Sequence, residues 1–155
     1  MAEPHETTGT IGVSELTNSD FQILVVDNDP PLAAAMTESL ETEDYAVSVA
    51  TSGPDGLKMI QQNNYDVVIT DLMMNDVDGM AILEQTKQLL PDAEIIMVTG
   101  HASVPLAVEA MQSGAYNFLE KPITPKRLRA ITARAIQSVG LRRQNAELKQ
   151  RLDEK

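Results

Sequence analysis

The stretch Phe21–Asp29 reads FQILVVDND, and Pro30-Pro31 follow it at once. Its apolar run is nearly continuous rather than alternating, the pattern of a strand covered on both faces. Two prolines directly after the acidic triplet open a helix, where a missing N–H costs least. Leu32, Met36 and Leu40 then fall on one face of the segment Leu32–Glu43. A buried strand that feeds straight into an amphipathic helix is one unit of an α/β fold, and the rest of the chain repeats it.

Four further apolar runs lie downstream: YAVSV (45–49), YDVVIT (65–70), AEIIMV (93–98) and AYNFL (115–119). The first of these alternates, which suits a more exposed strand. Helix signals separate them. Ser52 and Pro54 open a second helix with Leu57 and Ile60 inward, and Asp78 caps a third that carries Met80, Leu83 and Thr86. Ser103 and Pro105 open a fourth, closed by Gly114 in the position after the cap, and Thr124-Pro125 open a fifth. Parallel strands need such crossovers, so five strand–helix units predict a doubly wound parallel sheet, flavodoxin-like, in the order 2-1-3-4-5. There is no internal repeat.

The chemistry stands just after each core run. FQILVV is followed by Asp27-Asn28-Asp29, YDVVIT by Asp71, AEIIMV by Thr99, and AYNFLE by Lys121-Pro122. In a parallel sheet these ends share one edge, the edge where ligands bind. With neighbouring strands ~4.8 Å apart, Asp27, Asp29 and Asp71 are expected to crowd together, flanked by a hydroxyl and an ammonium. Two carboxylates about 4 Å apart repel by roughly 4 kcal/mol at an effective dielectric of about 20. Lys121 offsets part of that and a divalent cation more. Mg²⁺ suits the set, because it takes one or two carboxylates together with waters and phosphate oxygens. Such a pocket admits a phosphoryl group and lets a carboxylate attack phosphorus.

Composition narrows the alternatives. The 155 residues carry a net charge of −11, unevenly spread. From Lys126 onward nine basic residues face three acids, a balance of +6, which leaves −17 for the remainder. A body that acidic repels nucleic acid phosphates, so no direct nucleic acid binding is expected. The absence of cysteine excludes disulfides and thiolate chemistry. No apolar run reaches the ~18 residues of a membrane span. Residues 1–20 are polar, lack the pattern of a secretory signal, and are expected to be a disordered extension. A cytoplasmic protein is the simplest reading.

VVDND, ITDLMMNDVDG, IIMVTG and FLEKP resemble, in order, the four signatures of the receiver domain of two-component response regulators, a CheY-like fold. The resemblance covers residues 21–139. It implies that Asp71 accepts a phosphoryl group from a histidine kinase or phosphotransfer protein. It further implies that Asp27, Asn28, Asp71 and the backbone carbonyl of Met73 hold Mg²⁺, with Asp29 as a spare ligand. Thr99 and Lys121 would contact the phosphoryl oxygens, Thr99 and Phe118 would form the switch, and the Lys121–Pro122 bond would be cis. Two positions depart from the family. Asn28 stands where the second acid is usual, and Asn75 where a proline is usual four residues after the acceptor. The amide of Asn28 can ligate Mg²⁺ but brings no charge.

The fifth helix is expected to run past the domain. Leu128, Ile131, Ala135 and Val139 give one apolar face; Leu141, Asn145, Leu148 and Leu152 follow at spacings 4, 3, 4, a short heptad seam with a polar residue that can fix register. Residues 140–155 therefore read as a helical linker or coiled-coil start. Homodimers would form through this helix or through the surface of the fourth helix, fifth strand and fifth helix. GAYNFLEKP followed by RRQNAELKQRL is most similar to receivers of sigma-54-dependent transcription activators. The rival reading is a haloacid-dehalogenase-like phosphatase with Asp27 as nucleophile, Asp29 as acid/base, Thr99-Gly100 as second motif and Lys121 as third. It lacks a later acidic motif outside the tail. A nucleotide or flavin module lacks the glycine-rich loop after the first strand.

Overall fold

The structure is a computed structural model that describes residues 16–75, 77–101 and 103–153. Strands β1 (Gln22–Val26), β2 (Ala46–Ala50), β3 (Val67–Thr70), β4 (Glu94–Thr99) and β5 (Asn117–Glu120) alternate with helices α1 (Pro30–Glu41), α2 (Gly53–Gln62), α3 (Gly79–Leu89), α4 (Val104–Gln112) and α5 (Pro125–Asp153). All strand pairs are parallel and the order is β2-β1-β3-β4-β5, as the alternation predicts.

The period of two along each strand divides the core into two layers. Ile23 and Val25 of β1, with Ile69 and Val98, pack against Ala33, Met36 and Leu40 of α1 and against Leu128, Ile131, Ile136 and Val139 of α5. Leu24 and Val26, with Val68, Ile95 and Met97, pack against Ile60 of α2, Ile82 and Leu83 of α3 and Ala110 of α4. Both faces of β1 are thereby covered, which is why its sequence is apolar without alternation. β2, at the sheet's edge, has only Ala50 buried.

Side chains at the strand ends fix where the helices begin. Asp29, Ser52, Asp78 and Ser103 each accept a hydrogen bond from the backbone N–H three residues on. For α1 this cap and the two prolines start the helix at Pro30. It ends at Glu41, two residues before the end expected from apolar spacing, and the chain turns through Asp44 at φ 70°. Gly114 follows the cap of α4 at φ 107°, a left-handed conformation that suits glycine. The Lys121–Pro122 peptide bond is cis.

Two expectations about the ends meet the structure differently. Of the extension expected to be disordered, residues 1–15 lie outside the described residues, but residues 16–20 are structured. Asn18–Asp20 form a 3-10 turn closed by Thr17 and Asp20, the Asn18 amide donates to the Glu43 carbonyl at 2.7 Å, and Leu16 packs on the core. The fifth helix does extend, and it runs unbroken through Gly140 to Asp153. Its buried residues stop at Val139.

Candidate functional site

Three of the site residues are placed by a backbone hydrogen bond that carries the sheet ladder one step further. Asp27 N–H donates to Ala50 O (3.1 Å), Asp71 N–H to Val26 O (2.9 Å) and Lys121 N–H to Thr99 O (2.8 Å). Asp27 and Asp71 thus leave adjacent strands, β1 and β3, at the same level, and Lys121 rises from β5 beyond them. The expected convergence is observed for Asp27, Asp71 and Lys121. Lys121 Nζ lies 2.9 Å from Asp27 Oδ2 and 3.0 Å from Asp71 Oδ2, and so bridges two acids that are 94 and 50 residues away in sequence.

The second oxygen of each carboxylate is held as well. Asp29 N–H donates to Asp27 Oδ1 at 2.9 Å, and Met73 N–H to Asp71 Oδ1 at 3.3 Å. Neither carboxylate is free to rotate without losing a bond. Asp27 is wholly buried and Asp71 is 7% exposed, so of the two acids only the acceptor candidate keeps any contact with solvent. Burial alone would lower the pKa of Lys121, but hydrogen bonds from its ammonium to Asp27 and Asp71, and their charge, outweigh that and hold it above its ordinary value. The ammonium is therefore permanently charged at neutral pH. One ammonium faces two carboxylates, so the cluster is one positive charge short and mostly, though not wholly, covered.

That imbalance is the test of whether the donor set fits a divalent ion. Among the described residues no group of three or more histidine, cysteine or acidic side chains could hold a metal. Among the described residues an ion at this edge meets the carboxylates of Asp27 and Asp71 and completes its shell with neutral oxygens. The Asn28 amide, the Met73 carbonyl and waters are of that kind, and Mg²⁺ is the ion that accepts such a shell. Asp29, the spare ligand, is exposed, and its Oδ1 accepts the Leu32 N–H at 3.3 Å as the cap of α1. The same cap is what the phosphatase reading would need as its acid/base.

Thr99, fully buried at the end of β4, accepts the His101 N–H on its Oγ1 at 3.1 Å. Phe118, on β5, is half-buried against the layer formed by α2, α3 and α4. Two residues that the sequence reading did not single out also shape the site. A Cβ on Gly79 would come within 2.3 Å of the Asp71 carbonyl oxygen and 2.8 Å of Leu72 Cα. The start of α3 therefore rests directly on the acceptor's backbone, which only glycine permits. Thr70 donates its hydroxyl to the same carbonyl at 2.9 Å. Gly79 closes the ITDLMMNDVDG stretch that contains Asp71 and stands directly after a cap, which was the available signal; its contact with the Asp71 carbonyl was not readable from either.

With this geometry in hand, known proteins supply a comparison. The family model described as "Response regulator receiver domain" matches residues 23–133. The transcriptional regulatory protein GlrR of Escherichia coli (strain K12) is 36% identical over 108 residues, which are 70% of this chain and 24% of GlrR. The chain thus spans about a quarter of the length of such curated relatives. The solution structure of the beryllofluoride-activated NtrC4 receiver domain dimer is similar at 33% identity and a TM-score of 0.72, covering 76% of this chain and 98% of that one. A response regulator protein from Burkholderia pseudomallei, solved with a phosphorylated aspartic acid, calcium ion and citrate, is similar at 31% identity and a TM-score of 0.68, covering 72% of this chain and 66% of that one.

Proposed function

Because this chain belongs to the response regulator receiver domain family, we propose that it takes a phosphoryl group onto Asp71 from a histidine kinase or phosphotransfer protein and passes the signal to an output domain that controls transcription. The observation that carries this reading is the Lys121 ammonium bridging Asp27 and Asp71. It is a cluster with one charge too few, set at the sheet edge where a phosphoryl group and its counterion restore the balance. Its GAYNFLEKP stretch and the long helix after it are most like the receivers of sigma-54-dependent activators.

In the reaction an Asp71 oxygen attacks phosphorus, the P–O bond forms as the P–N bond of the donor's phosphohistidine breaks, and the departing imidazole keeps the electron pair. Lys121 transfers its hydrogen bond from Asp71 to a phosphoryl oxygen. Thr99 turns its hydroxyl from the His101 N–H toward another. Asp27, Asn28, Asp71 and the Met73 carbonyl would hold Mg²⁺, whose charge offsets that of the incoming group. An apolar groove lined by Leu32, Met36, Val98, Lys121, Pro122 and Ile123 opens beside the ammonium and offers the donor domain a surface.

Esterification adds charge and acceptor oxygens to the pocket. The movement of Thr99 vacates space that Phe118 fills, which re-shapes the surface of α4, β5 and α5 and shifts an existing equilibrium. Val104, Val108 and Met111 stand exposed on α4, and Leu141, Leu148 and Leu152 on α5, so a homodimer has either face to use. The chain acts as a phospho-acceptor rather than an enzyme with a separate substrate, its chemistry limited to taking phosphoryl from small donors and losing it to water. No direct contact with nucleic acid is needed. Among the described residues no helix is long and apolar enough to cross a membrane, and a cytoplasmic place fits the phosphodonor.

The test is incubation with acetyl phosphate and Mg²⁺, followed by intact mass and peptide mapping. One phosphoryl group on Asp71, absent from Asp71→Asn, is the expected result. Attachment to Asp27 would replace this reading with the phosphatase one.

A further inference from the structure

We propose that the sheet edge opposite the acceptor is a seat for the extension of α5, in which Arg142 and Arg143 fasten residues 140–153 to the receiver within a single chain. The inference does not depend on phosphorylation of Asp71.

A helical segment this short is marginal in water without tertiary contacts. Beyond Val139 no residue of α5 is buried, and Leu141, Leu148 and Leu152 are 54%, 43% and 71% exposed. Something other than an apolar core must hold the segment. Two successive arginines do so by reaching different strands. Arg142 pairs with Glu94, the first residue of β4, whose Oε2 also accepts the Ser138 hydroxyl at 2.9 Å. Arg143 pairs with Asp66, the residue before β3, whose other oxygen accepts the Gln22 N–H of β1 at 2.7 Å. The Arg143 guanidinium also lies 4.8 Å from the centroid of the Phe21 ring, and Leu16 lines the surface beside it. Both acids are mostly covered, at 12% and 13% side-chain exposure, while Arg143 and Arg142 keep 40% and 38% of theirs, so the pairs are partly screened.

The geometry of the helix separates this seat from the heptad seam. At about 100° per residue, Ile136, Val139, Arg142, Arg143 and Ala146 form one stripe, continuous with the buried face of the domain. Leu141, Asn145, Leu148 and Leu152 centre about 150° away from it. The seat is polar and made within one chain; the seam is apolar and open to a second. Seating therefore sets the direction in which the seam is presented without using any of its residues.

Hydrogen exchange on the full chain at low protein concentration separates the two. For the Arg142→Ala/Arg143→Ala variant, amides 144–150 are expected to lose about tenfold in protection, the scale of two partly covered ion pairs and one cation–π contact. Glu94→Gln should produce part of the same loss, and about 1 M salt, which shortens the screening length to about 3 Å, most of it. Leu148→Asp should leave the protection unchanged. Protection that survives the double arginine variant, or that disappears in Leu148→Asp and on dilution of the wild type, overturns the proposal and gives the helix to a second copy. Acetyl phosphate labelling of the arginine variant is expected to match the wild type. Loss of labelling in every form, wild type included, would count against the receiver reading and leave the seat untouched.

Discussion

The two edges of the sheet both set acids against bases, and they balance them differently. At the C-terminal edge one ammonium serves two carboxylates, one of them wholly buried. At the N-terminal edge Asp66 and Glu94 each have an arginine of their own. An edge left one charge short is chemically hungry: a cation relieves it, and a transferable phosphoryl group can enter with that cation. An edge whose charges cancel has no comparable pull on an ion, and serves to fasten one element to another.

The largest test of that contrast is covalent. Asp71→Asn should abolish labelling by acetyl phosphate altogether, whereas Glu94→Gln, which removes an acid from the balanced edge, should leave the labelled fraction unchanged by mass spectrometry. Stability comes next. Lys121→Ala leaves Asp27 buried and facing Asp71, and should cost about 3 kcal/mol in urea unfolding, partly restored by millimolar Mg²⁺. Arg142→Ala should cost about 0.5 kcal/mol and show no response to Mg²⁺. If the two cost the same, the edges do not differ as described.

The lysine also carries a pH signature. Its folded-state pKa is raised, so its stabilisation is complete below the unfolded value near 10.5 and is lost only as pH climbs through the folded value. The gap between wild type and Lys121→Met should therefore be flat through the neutral range and close above about pH 10.5. Gly79→Ala should be milder in unfolding, about 1–2 kcal/mol by overpacking, yet slow the labelling of Asp71 about tenfold, since that carbonyl must shift. The smallest change sharpens the comparison: Asn28→Asp makes the unbalanced edge more so, and should tighten Mg²⁺ binding roughly tenfold while lowering stability without metal. Calorimetry in the presence and absence of the ion would read both effects.

The unbalanced edge was legible in the sequence and the balanced one was not. Asp27, Asp71 and Lys121 each follow a strongly apolar run, and a parallel sheet has only one edge on which such residues can gather. Caps at Asp29, Ser52, Asp78 and Ser103 were equally readable, because a cap acts on N–H groups three residues away. Arg142 and Arg143 find their acids 48 and 77 residues upstream. Asp66 and Glu94 look like ordinary polar residues at the start of strands. The spacing of the leucines drew attention to the heptad seam and away from the arginines between them. Gly79 was hidden for a related reason: its role is the space it leaves, and only the assembled sheet shows what fills it.

One consequence concerns distance. α5 continues for fourteen residues past its last buried side chain, which at 1.5 Å per residue is about 20 Å of rod. If it pivots rigidly at the rim of the domain, a tilt of about 10° sweeps its far tip through about 3.5 Å at that length. A shift of packing too small to disturb the core thus becomes, at the tip, a displacement as large as a van der Waals contact.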